Sequence, residues 1–454
     1  MTNTIALLGV GSTYFTKGII EALARRGGSW DVRLVDIDER CLDIATRLAR
    51  RVAEAYGVDM KITGSTDRRD VLSGCDAVVA TIGVGGRTSW EEDMYLAREF
   101  DIYQSTADTF GAGGVSRSLR QVPTMMAVAR DMERLCPGAL LVNFSNPMSV
   151  LCRAITRETS VKTVGLCMGV RDFQRTLARV AGVPDEEVFC EAVGVNHFTW
   201  ITGLYHDGVD VLPKVRAELE RTGERPGGPY TWEMFQAFDA FPVVGDGHIL
   251  EFVPGWQGKG AYYGKTFGVD NHDFTEYARH WDRVFARMER IADGATPVDV
   301  RPDGPEKDTF EDEDFFAEVM MAFRGEAAFH RTVNLPNDGT VANLPRGAVL
   351  EATTYIADGA FRPLAFGDVP RGIAAVNARI IGAQELTVEA ALTGDRKLVV
   401  QALLAGLTVR TLEEAERLTD RIFEVHRRYL PQFFDDVAPE AATVFGDVEV
   451  ASQV

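Results

Sequence analysis

A short apolar run that ends in two glycines, near the start of the chain, constrains the fold more than any other feature. In "TIALLGVGST", residues Ile5 to Leu8 precede Gly9 and Gly11, and apolar residues at helical spacing follow. Glycines after a strand let the backbone approach a pyrophosphate, which then lies on the amides of the next helix. Tyr14 stands where the usual fingerprint has its third glycine, so the motif needs support from the strands that follow.

A second strand supplies part of that support. "DVRLVDIDE" ends in Asp36, near the distance after the glycines at which a carboxylate binds the ribose hydroxyls of a dinucleotide. This acid favours NAD over NADP because it would repel a 2′-phosphate. Alternatively, Asp36 only caps a helix that starts near Glu39. The predicted cofactor-binding residues are Gly9, Gly11, Ser12, Asp36, Gly83 and Asn146.

The alternation of strands and helices continues along the chain. "DAVVATIGVGG" is typical of a buried strand that opens into a glycine loop, and periodic apolar residues predict a helix from Gly114 to Leu135. "ALLVNFSNP" and "VKTVGLC" are further strand candidates. The pattern predicts an α/β fold with a doubly wound parallel sheet of Rossmann type. From Phe198 it changes to mixed strands and long helices, so we expect an NAD-binding domain over residues 1–195 and a mixed α+β catalytic domain over residues 196–454.

The overall charge and the cysteines limit the possible partners and compartment. Lysine and arginine total 48 against 67 acidic residues, a net charge of −19, so we expect neither a nucleic-acid nor an anionic-membrane partner. The start of the chain has no secretory pattern, and no run reaches the roughly 18 apolar residues of a membrane-spanning helix. The six cysteines show no pairing pattern, which is typical of a reducing cytoplasm.

Two candidate metal ligands each follow a strand-like segment. Cys167 lies in "GLCMGVRD" and His197 in "GVNHF". Sulfur and imidazole together can bind a transition metal. Both residues can equally be buried side chains without a ligand, which is the usual situation of a free cysteine.

Seven segments in this order and spacing resemble glycoside hydrolase family 4, the NAD- and metal-dependent glycosidases. The resemblance covers nearly the whole chain. The segments are "LLGVGS", "DTFGAGGVSRSLRQVP", "LLVNFSNPM", "VGLCMG", "GVNHF", "VNLPNDGTVANLP" and "QELTVEAALTGDRKLVVQALL". The resemblance implies a fold like that of lactate and malate dehydrogenases, and a cytoplasmic homodimer or homotetramer that acts on a small-molecule glycoside.

The family's chemistry implies a role for each cofactor. Cys167 and His197 correspond to the ligands of Mn²⁺ or another divalent metal, and the hydroxyl groups of the sugar complete the coordination. NAD⁺ removes hydride from C3, and the ketone then acidifies the proton at C2, which a base removes. The C1–O bond breaks by elimination, water adds and the hydride returns, so the mechanism needs no pair of catalytic carboxylates.

The catalytic base and the sugar are the next expectations. "AFPVVGDGHILEF" is similar to a segment of the α-glycosidase branch whose aspartate corresponds to Asp246, and His248 is a further candidate ligand or proton carrier. The alternative for Asp246 is a structural role in a turn. Met168 stands where relatives have Asn, Asp or His, and methionine supplies no acid. The "GDGHILEF" stretch leads us to expect an α-linked, unphosphorylated sugar, such as an α-galacturonide or α-glucuronide.

Four polar residues are predicted to bind the substrate. They are Asn146, Arg87, Arg117 and Arg120. Asn146 can also cap the helix that Pro147 opens, and each arginine can instead form a surface ion pair.

Two other functions compete with a glycosidase. An NAD-dependent 2-hydroxy-acid dehydrogenase of the lactate or malate type would use a histidine–aspartate relay without a metal, and Cys167 would then have no task. A non-catalytic, NAD-sensing protein would not need Cys167, His197 or Asp246.

Overall fold

The structure is a computed structural model that describes residues 3–13, 15–104, 106–253, 274–300 and 314–437. Within these residues, 13 strands form one sheet. The strands are β1 Asn3–Leu8, β2 Ser29–Val35, β3 Asp59–Ser65, β4 Ala77–Ala80, β5 Leu140–Asn143, β6 Thr163–Gly165, β7 Val188–Val195, β8 Phe198–His206, β9 Val209–Asp210, β10 Phe241–Val243, β11 Phe329–Pro336, β12 Val349–Ala357 and β13 Ala360–Pro363. The helices are α1 Thr16–Arg26, α2 Glu39–Tyr56, α3 Gly86–Arg98, α4 Gly111–Leu135, α5 Met148–Glu158, α6 Gly169–Ala181, α7 Leu212–Thr222, α8 Pro229–Phe238, α9 Asp246–Phe252, α10 Phe274–Ala292, α11 Asp314–Phe323, α12 Arg371–Thr393, α13 Arg396–Ala405 and α14 Leu412–His426. None of these helices is long and apolar enough to cross a membrane.

The first six strands form the predicted parallel sheet, in the order β6-β5-β4-β1-β2-β3. Helices cover both of its faces, and the side chains of β1 alternate between them. Ala6 and Leu8 belong to one apolar cluster, whereas Ile5 and Leu7 belong to the other. Burying each large aliphatic side chain contributes about 1.5–3 kcal/mol, so the strand is stabilised from both sides. The predicted α/β, Rossmann-type fold class is confirmed.

The sheet continues past β6 into the second half of the chain. Strand β11 pairs antiparallel with β6, and β12, β7, β8 and β10 follow, all in antiparallel pairs. The boundary predicted between residues 195 and 196 falls at the tight turn between β7 and β8, inside this continuous sheet. The division into an NAD-binding and a catalytic domain stays a prediction.

Two helix boundaries differ from the periodicity of the sequence. Helix α4 begins at Gly111 and not at Gly114, because its first turn consists of small residues that carry no apolar signal. The glycines are needed there, since a Cβ at Gly113 would lie 2.5 Å from the Cβ of Ala107. The segment "QELTVEAALTGDRKLVVQALL" is divided between two helices, α12 and α13, because Asp395 caps the second one through the amide of Lys397.

Candidate active site

The glycine loop after β1 is held by the carboxylate that follows β2. The amide of Gly11 donates to Oδ2 of Asp36 at 2.6 Å, and the amide of Asp38 donates to Oδ1 at 3.0 Å. A Cβ at Gly11 would lie 3.1 Å from the same oxygen and from Cys41. Burial raises the pKa of Asp36. The alternative that Asp36 caps α2 is wrong, because Asp38 accepts from the amide of Cys41.

The other predicted cofactor residues lie along the same edge of the sheet. The hydroxyl of Ser12 accepts from the amide of Phe15 at 3.3 Å, so it orders the entry into α1. Gly9 has a φ of +86°, and a Cβ there would lie 3.0 Å from the carbonyl oxygen of Thr81. Gly83 lies in the loop after β4, where the nearest atom to an added Cβ is Nη2 of Arg117 at 3.9 Å. This edge combines the two glycine loops with one carboxylate.

Three side chains from three separate elements meet beyond this edge. One ligand atom from each of Asp108, His197 and His248 lies within 4.8 Å of the others. Asp108 belongs to the loop before α4, His197 to the turn between β7 and β8, and His248 to α9. The two imidazole centroids are 4.1 Å apart, and Oδ1 of Asp108 lies 4.0 Å from Nδ1 of His197 and 3.7 Å from Nδ1 of His248. We call these three residues the Asp–His–His cluster.

The charges in the cluster suit a cation. Burial lowers the pKa of His197 to about 3, and His248 adds to this effect while Asp108 opposes it. Burial also lowers the pKa of His248. Burial works to raise the pKa of Asp108, but the facing imidazoles and a nearby guanidinium outweigh it, so this pKa lies below its ordinary value. At neutral pH the cluster therefore has two neutral imidazoles and one carboxylate.

Asn146 and Arg117 adjoin the cluster. Nδ2 of Asn146 donates to Oδ2 of Asp108 at 2.9 Å, and Nε of Arg117 donates to the carbonyl of Asn146 at 3.2 Å. Oδ1 of Asn146 and Nδ1 of His248 are buried and have no hydrogen-bond partner among the described residues. Helix α5 has Pro147 as its N-cap and no side-chain cap, so Asn146 does not cap it. The side chains of Asn146 and His248 therefore each keep an atom that can contact a ligand.

Cys167 lies beside the turn that carries His197. Its thiol is hydrogen-bonded by the side chain of Asn196 and by the backbone at Gly169, and it packs on an apolar group that includes Met148. Burial raises the pKa of the Cys167 thiol, and the carboxylate of Glu351 adds to this effect. Cys167 is not a member of the Asp–His–His cluster, so its predicted role as a ligand stays a prediction.

Asp246 has a structural role outside the Asp–His–His cluster. Its carboxylate accepts from the amides of Tyr230 at 3.1 Å and Thr231 at 2.7 Å, and from the hydroxyl of Thr231 at 2.7 Å. These donors belong to the first turn of α8, so Asp246 caps that helix. Burial raises the pKa of Asp246 despite these bonds. This capping contact supports the structural alternative that the sequence left open.

Two of the three predicted substrate arginines are engaged elsewhere. Arg120 is 1% exposed and forms a buried ion pair with Asp93, so it cannot reach a substrate, and the substrate role predicted for it is not supported. Arg87 pairs with Asp282 at 2.6 Å and donates to the carbonyl of Ala278 at 3.1 Å, which joins α3 to α10. Of the three arginines, Arg117 donates to Asn146, which in turn donates to Asp108 of the cluster.

Three site residues were missed by the sequence reasoning. Asp108 stands in the quoted segment "DTFGAGG", and Glu251 stands in "GDGHILEF". Burial and the charge of Asp108 work to raise the pKa of Glu251, and the amides of Phe110, Ala107 and Thr109 oppose this shift. Thr109 holds His197, with its Oγ1 2.7 Å from Nδ1 of the imidazole. Asp108 could have been recognised in the sequence as an acidic residue just before a glycine-rich helix start.

Comparison with known proteins gives matches along most of the chain. Two family models match the chain: "Family 4 glycosyl hydrolase" over residues 4–183 and "Family 4 glycosyl hydrolase C-terminal domain" over residues 192–409. An alpha-galactosidase of Bacillus subtilis is 27% identical over 94% of this chain and 99% of its own length. An alpha-galacturonidase of the same organism is 28% identical over 81% of this chain and 82% of its own length.

Solved structures show the same fold. A putative glucosidase of Bacillus subtilis superposes with a TM-score of 0.82 at 25% identity, over 93% of this chain and 100% of its own. A 6-phospho-alpha-glucosidase from gut microorganisms, in complex with NAD and Mn²⁺, superposes with a TM-score of 0.83 at 19% identity, over 96% of this chain and 100% of its own. The family models together match well over half of the residues, so the predicted family is confirmed and the chain belongs to the family 4 glycosyl hydrolases.

Proposed function

We propose that this glycosidase cleaves an α-linked, unphosphorylated glycoside, with an α-galacturonide as the first candidate. The observation that carries the proposal is the Asp–His–His cluster beside Asn146 and Arg117. Relatives named alpha-galactosidase and alpha-galacturonidase support an α-linked galactose-type sugar. Arg117 supplies a cation next to the cluster, which suits the carboxylate of a uronide.

The glycine loop fits NAD as the cofactor. A half-buried carboxylate, Asp36, already holds the amide of Gly11, and its position after β2 suits the ribose hydroxyls. A 6-phospho-beta-glucosidase of Thermotoga maritima has been solved with manganese and NAD⁺, which supports the same pair of cofactors here. We assign the cofactor to Gly9, Gly11, Ser12, Asp36 and Gly83, with Asn146 at the boundary to the sugar.

The donor set fits a divalent metal. Carboxylate oxygen and imidazole nitrogen suit an ion such as Mn²⁺, and we assign it to Asp108 and His197. Cys167, whose sulfur is an unusual ligand for such an ion, is included on the resemblance to the family. Nδ1 of His197 is engaged by Thr109, as is usual for a metal-binding histidine whose other nitrogen is the ligand. When bound, the metal would polarise the hydroxyl oxygens of the sugar, and NAD would accept and return the hydride of C3.

His248 differs from His197 in a way that suits proton transfer. Its side chain is 25% exposed, whereas that of His197 is 8% exposed. Its Nδ1 has no hydrogen-bond partner among the described residues and faces Asp108. A neutral imidazole with a free nitrogen and a facing carboxylate can take a proton from the sugar. We therefore assign the proton-carrier role to His248 and the capping of α8 to Asp246.

A substrate panel tests the proposal. The enzyme is supplied with NAD⁺, Mn²⁺ and a thiol, and p-nitrophenyl α- and β-galactosides, glucosides, uronides and 6-phosphates are compared by kcat/KM. We expect the α-galacturonide to give the highest value. A 6-phosphate or a β-glycoside as the best substrate would overturn the assignment of the sugar. The cytoplasmic location and the homo-oligomer stay predictions, and light scattering of the purified protein measures the latter.

A further inference from the structure

The carboxylate of Glu251 organises the loop that carries Asp108. Glu251 lies near the end of α9 and is 2% exposed. Its Oε1 accepts from the amides of Thr106, at 2.9 Å, and Ala107. Its Oε2 accepts from the amides of Thr109, at 3.4 Å, and Phe110, at 3.3 Å. Four amides of one short loop therefore converge on a single buried carboxylate.

This convergence determines where Asp108 points. The amides on either side of Asp108 are directed at Glu251, so the Asp108 side chain projects the other way, towards His197, His248 and Asn146. Ala107 has a φ of +56°, which a non-glycine residue keeps only when its surroundings hold it. The hydrogen bond to Glu251 is one of the contacts that hold this backbone.

Glu251 also joins the loop to the helix that carries His248. The two residues are three positions apart on α9 and therefore share a face of the helix. A second bond runs between the same elements, from Oγ1 of Thr106 to the carbonyl of Gly247 at 2.9 Å. On the far side, α4 leaves no room for the loop to shift, because a Cβ at Gly113 would lie 2.5 Å from Ala107. Hydrogen bonds thus join the loop to α9 at two residues, Glu251 and Gly247.

We propose that Glu251 is a positioning residue that fixes the carboxylate of Asp108 against His197 and thereby sets the affinity of the proposed metal site for a divalent ion. The inference rests on the proposed metal-dependent function, but Glu251 itself does not touch the metal. Residues that orient metal ligands typically change affinity by about 10–100-fold when replaced. Glutamine has nearly the same volume as glutamate, but its NH₂ group cannot accept a hydrogen bond. In Glu251→Gln, two of the four loop amides therefore lose their acceptor.

The test measures Mn²⁺ binding directly. Wild type, Glu251→Gln, Thr106→Val and a control, Glu318→Gln, are titrated with Mn²⁺ while the free ion is followed by electron paramagnetic resonance. Glu318 is another buried carboxylate, paired with Arg331 far from the cluster. Hydrogen exchange of the peptide that spans residues 106–110 reports the order of the loop, and NAD binding is measured by calorimetry.

We expect Glu251→Gln to weaken Mn²⁺ binding about tenfold or more, to speed exchange in residues 106–110 and to leave NAD binding unchanged. Thr106→Val should act in the same direction by a smaller factor, and it carries the test if Glu251→Gln does not fold. Glu318→Gln should match wild type. Wild-type Mn²⁺ affinity in Glu251→Gln, or in Thr106→Val when that variant carries the test, overturns the inference. A wild type that binds Mn²⁺ but hydrolyses no glycoside overturns the proposed function alone, and a wild type that binds no Mn²⁺ overturns both.

Discussion

The hydroxyl of Thr109 lies 2.7 Å from Nδ1 of His197, whereas Nδ1 of His248 has no hydrogen-bond partner among the described residues. The two imidazoles are in contact, yet only one has a partner that fixes its tautomer. A fixed tautomer favours metal binding through the other nitrogen, whereas a free nitrogen favours proton transfer.

His197 and His248 should therefore respond differently to replacement. We expect His197→Gln to lose most Mn²⁺ affinity, and His248→Gln to keep it within a few-fold while its turnover falls about 10²–10⁴-fold. Metal titration by electron paramagnetic resonance, together with steady-state kinetics, separates the two effects. Equal loss of Mn²⁺ affinity in both variants would place His248 in the metal set.

Asp36 should set the choice between NAD and NADP. We expect wild type to bind NAD at least about tenfold more tightly, because a half-buried carboxylate next to a 2′-phosphate costs free energy. Asp36→Asn should bring the affinities for NAD and NADP closer together. The matched control is Asp38→Asn, since Asp38 caps α2 and does not touch Gly11. Calorimetry with both dinucleotides checks the ratio, and an NADP preference in wild type would remove the assignment of Asp36.

Replacing Asp246 should affect stability more than chemistry. Its carboxylate caps α8 through Tyr230 and Thr231, and losing such a cap costs about 1 kcal/mol of unfolding free energy. We expect Asp246→Ala, which has no accepting oxygen, to unfold at lower denaturant concentration while the solvent exchange of the C2 proton of the sugar persists. If exchange stops in a variant that is still folded, the base predicted from the sequence was right.

Glu351 should make stability fall as the pH rises. Burial raises the pKa of Glu351 to about 7 in the folded protein, although Thr199, Asn334 and Asn196 donate hydrogen bonds to it. Between the pKa of the unfolded chain, about 4.3, and about 7, the folded state keeps a proton that the unfolded state has lost. Its contribution therefore falls by about 1.4 kcal/mol per pH unit across this window.

Glu351→Gln removes this titration. We expect the variant to gain stability relative to wild type between pH 5 and pH 8, measured by urea unfolding of the metal-free protein. Glu318→Gln is the control for loss of a buried carboxylate. A constant difference between Glu351→Gln and wild type at all pH values would show that the carboxyl of Glu351 titrates normally.

Local patterns in the sequence were sufficient to place the glycine loops and Asp36 at one edge of the sheet, and their contact with NAD stays a prediction. The glycines Gly9 and Gly11 and the acid Asp36 are each tied to the end of one strand, and parallel strands bring such ends to a common edge. Asn146 follows β5 in the same way. The strand–helix alternation was sufficient for the fold class because the central strands, β1, β4 and β5, are apolar on both faces.

The cluster could not be predicted in the same way, because its members come from elements with no regular relation in sequence. Asp108 lies in a loop that is shaped by Glu251, more than a hundred residues later. The segment "GDGHILEF" contains two carboxylates, Asp246 and Glu251, and the sequence does not say which structure each one holds. The ion pair of Arg120 could not be predicted either, because its partner, Asp93, lies on a different helix.

The position of deuterium in the product tests the proposed mechanism most directly. The glycoside is hydrolysed in D₂O with NAD⁺ and Mn²⁺, and the released sugar is examined by NMR and mass spectrometry. The mechanism predicts deuterium at C2, because a base removes that proton, and none at C3, because the hydride returns from the cofactor, with no net formation of NADH. Complete hydrolysis without deuterium at C2, or NADH formed in proportion to the sugar consumed, would contradict it.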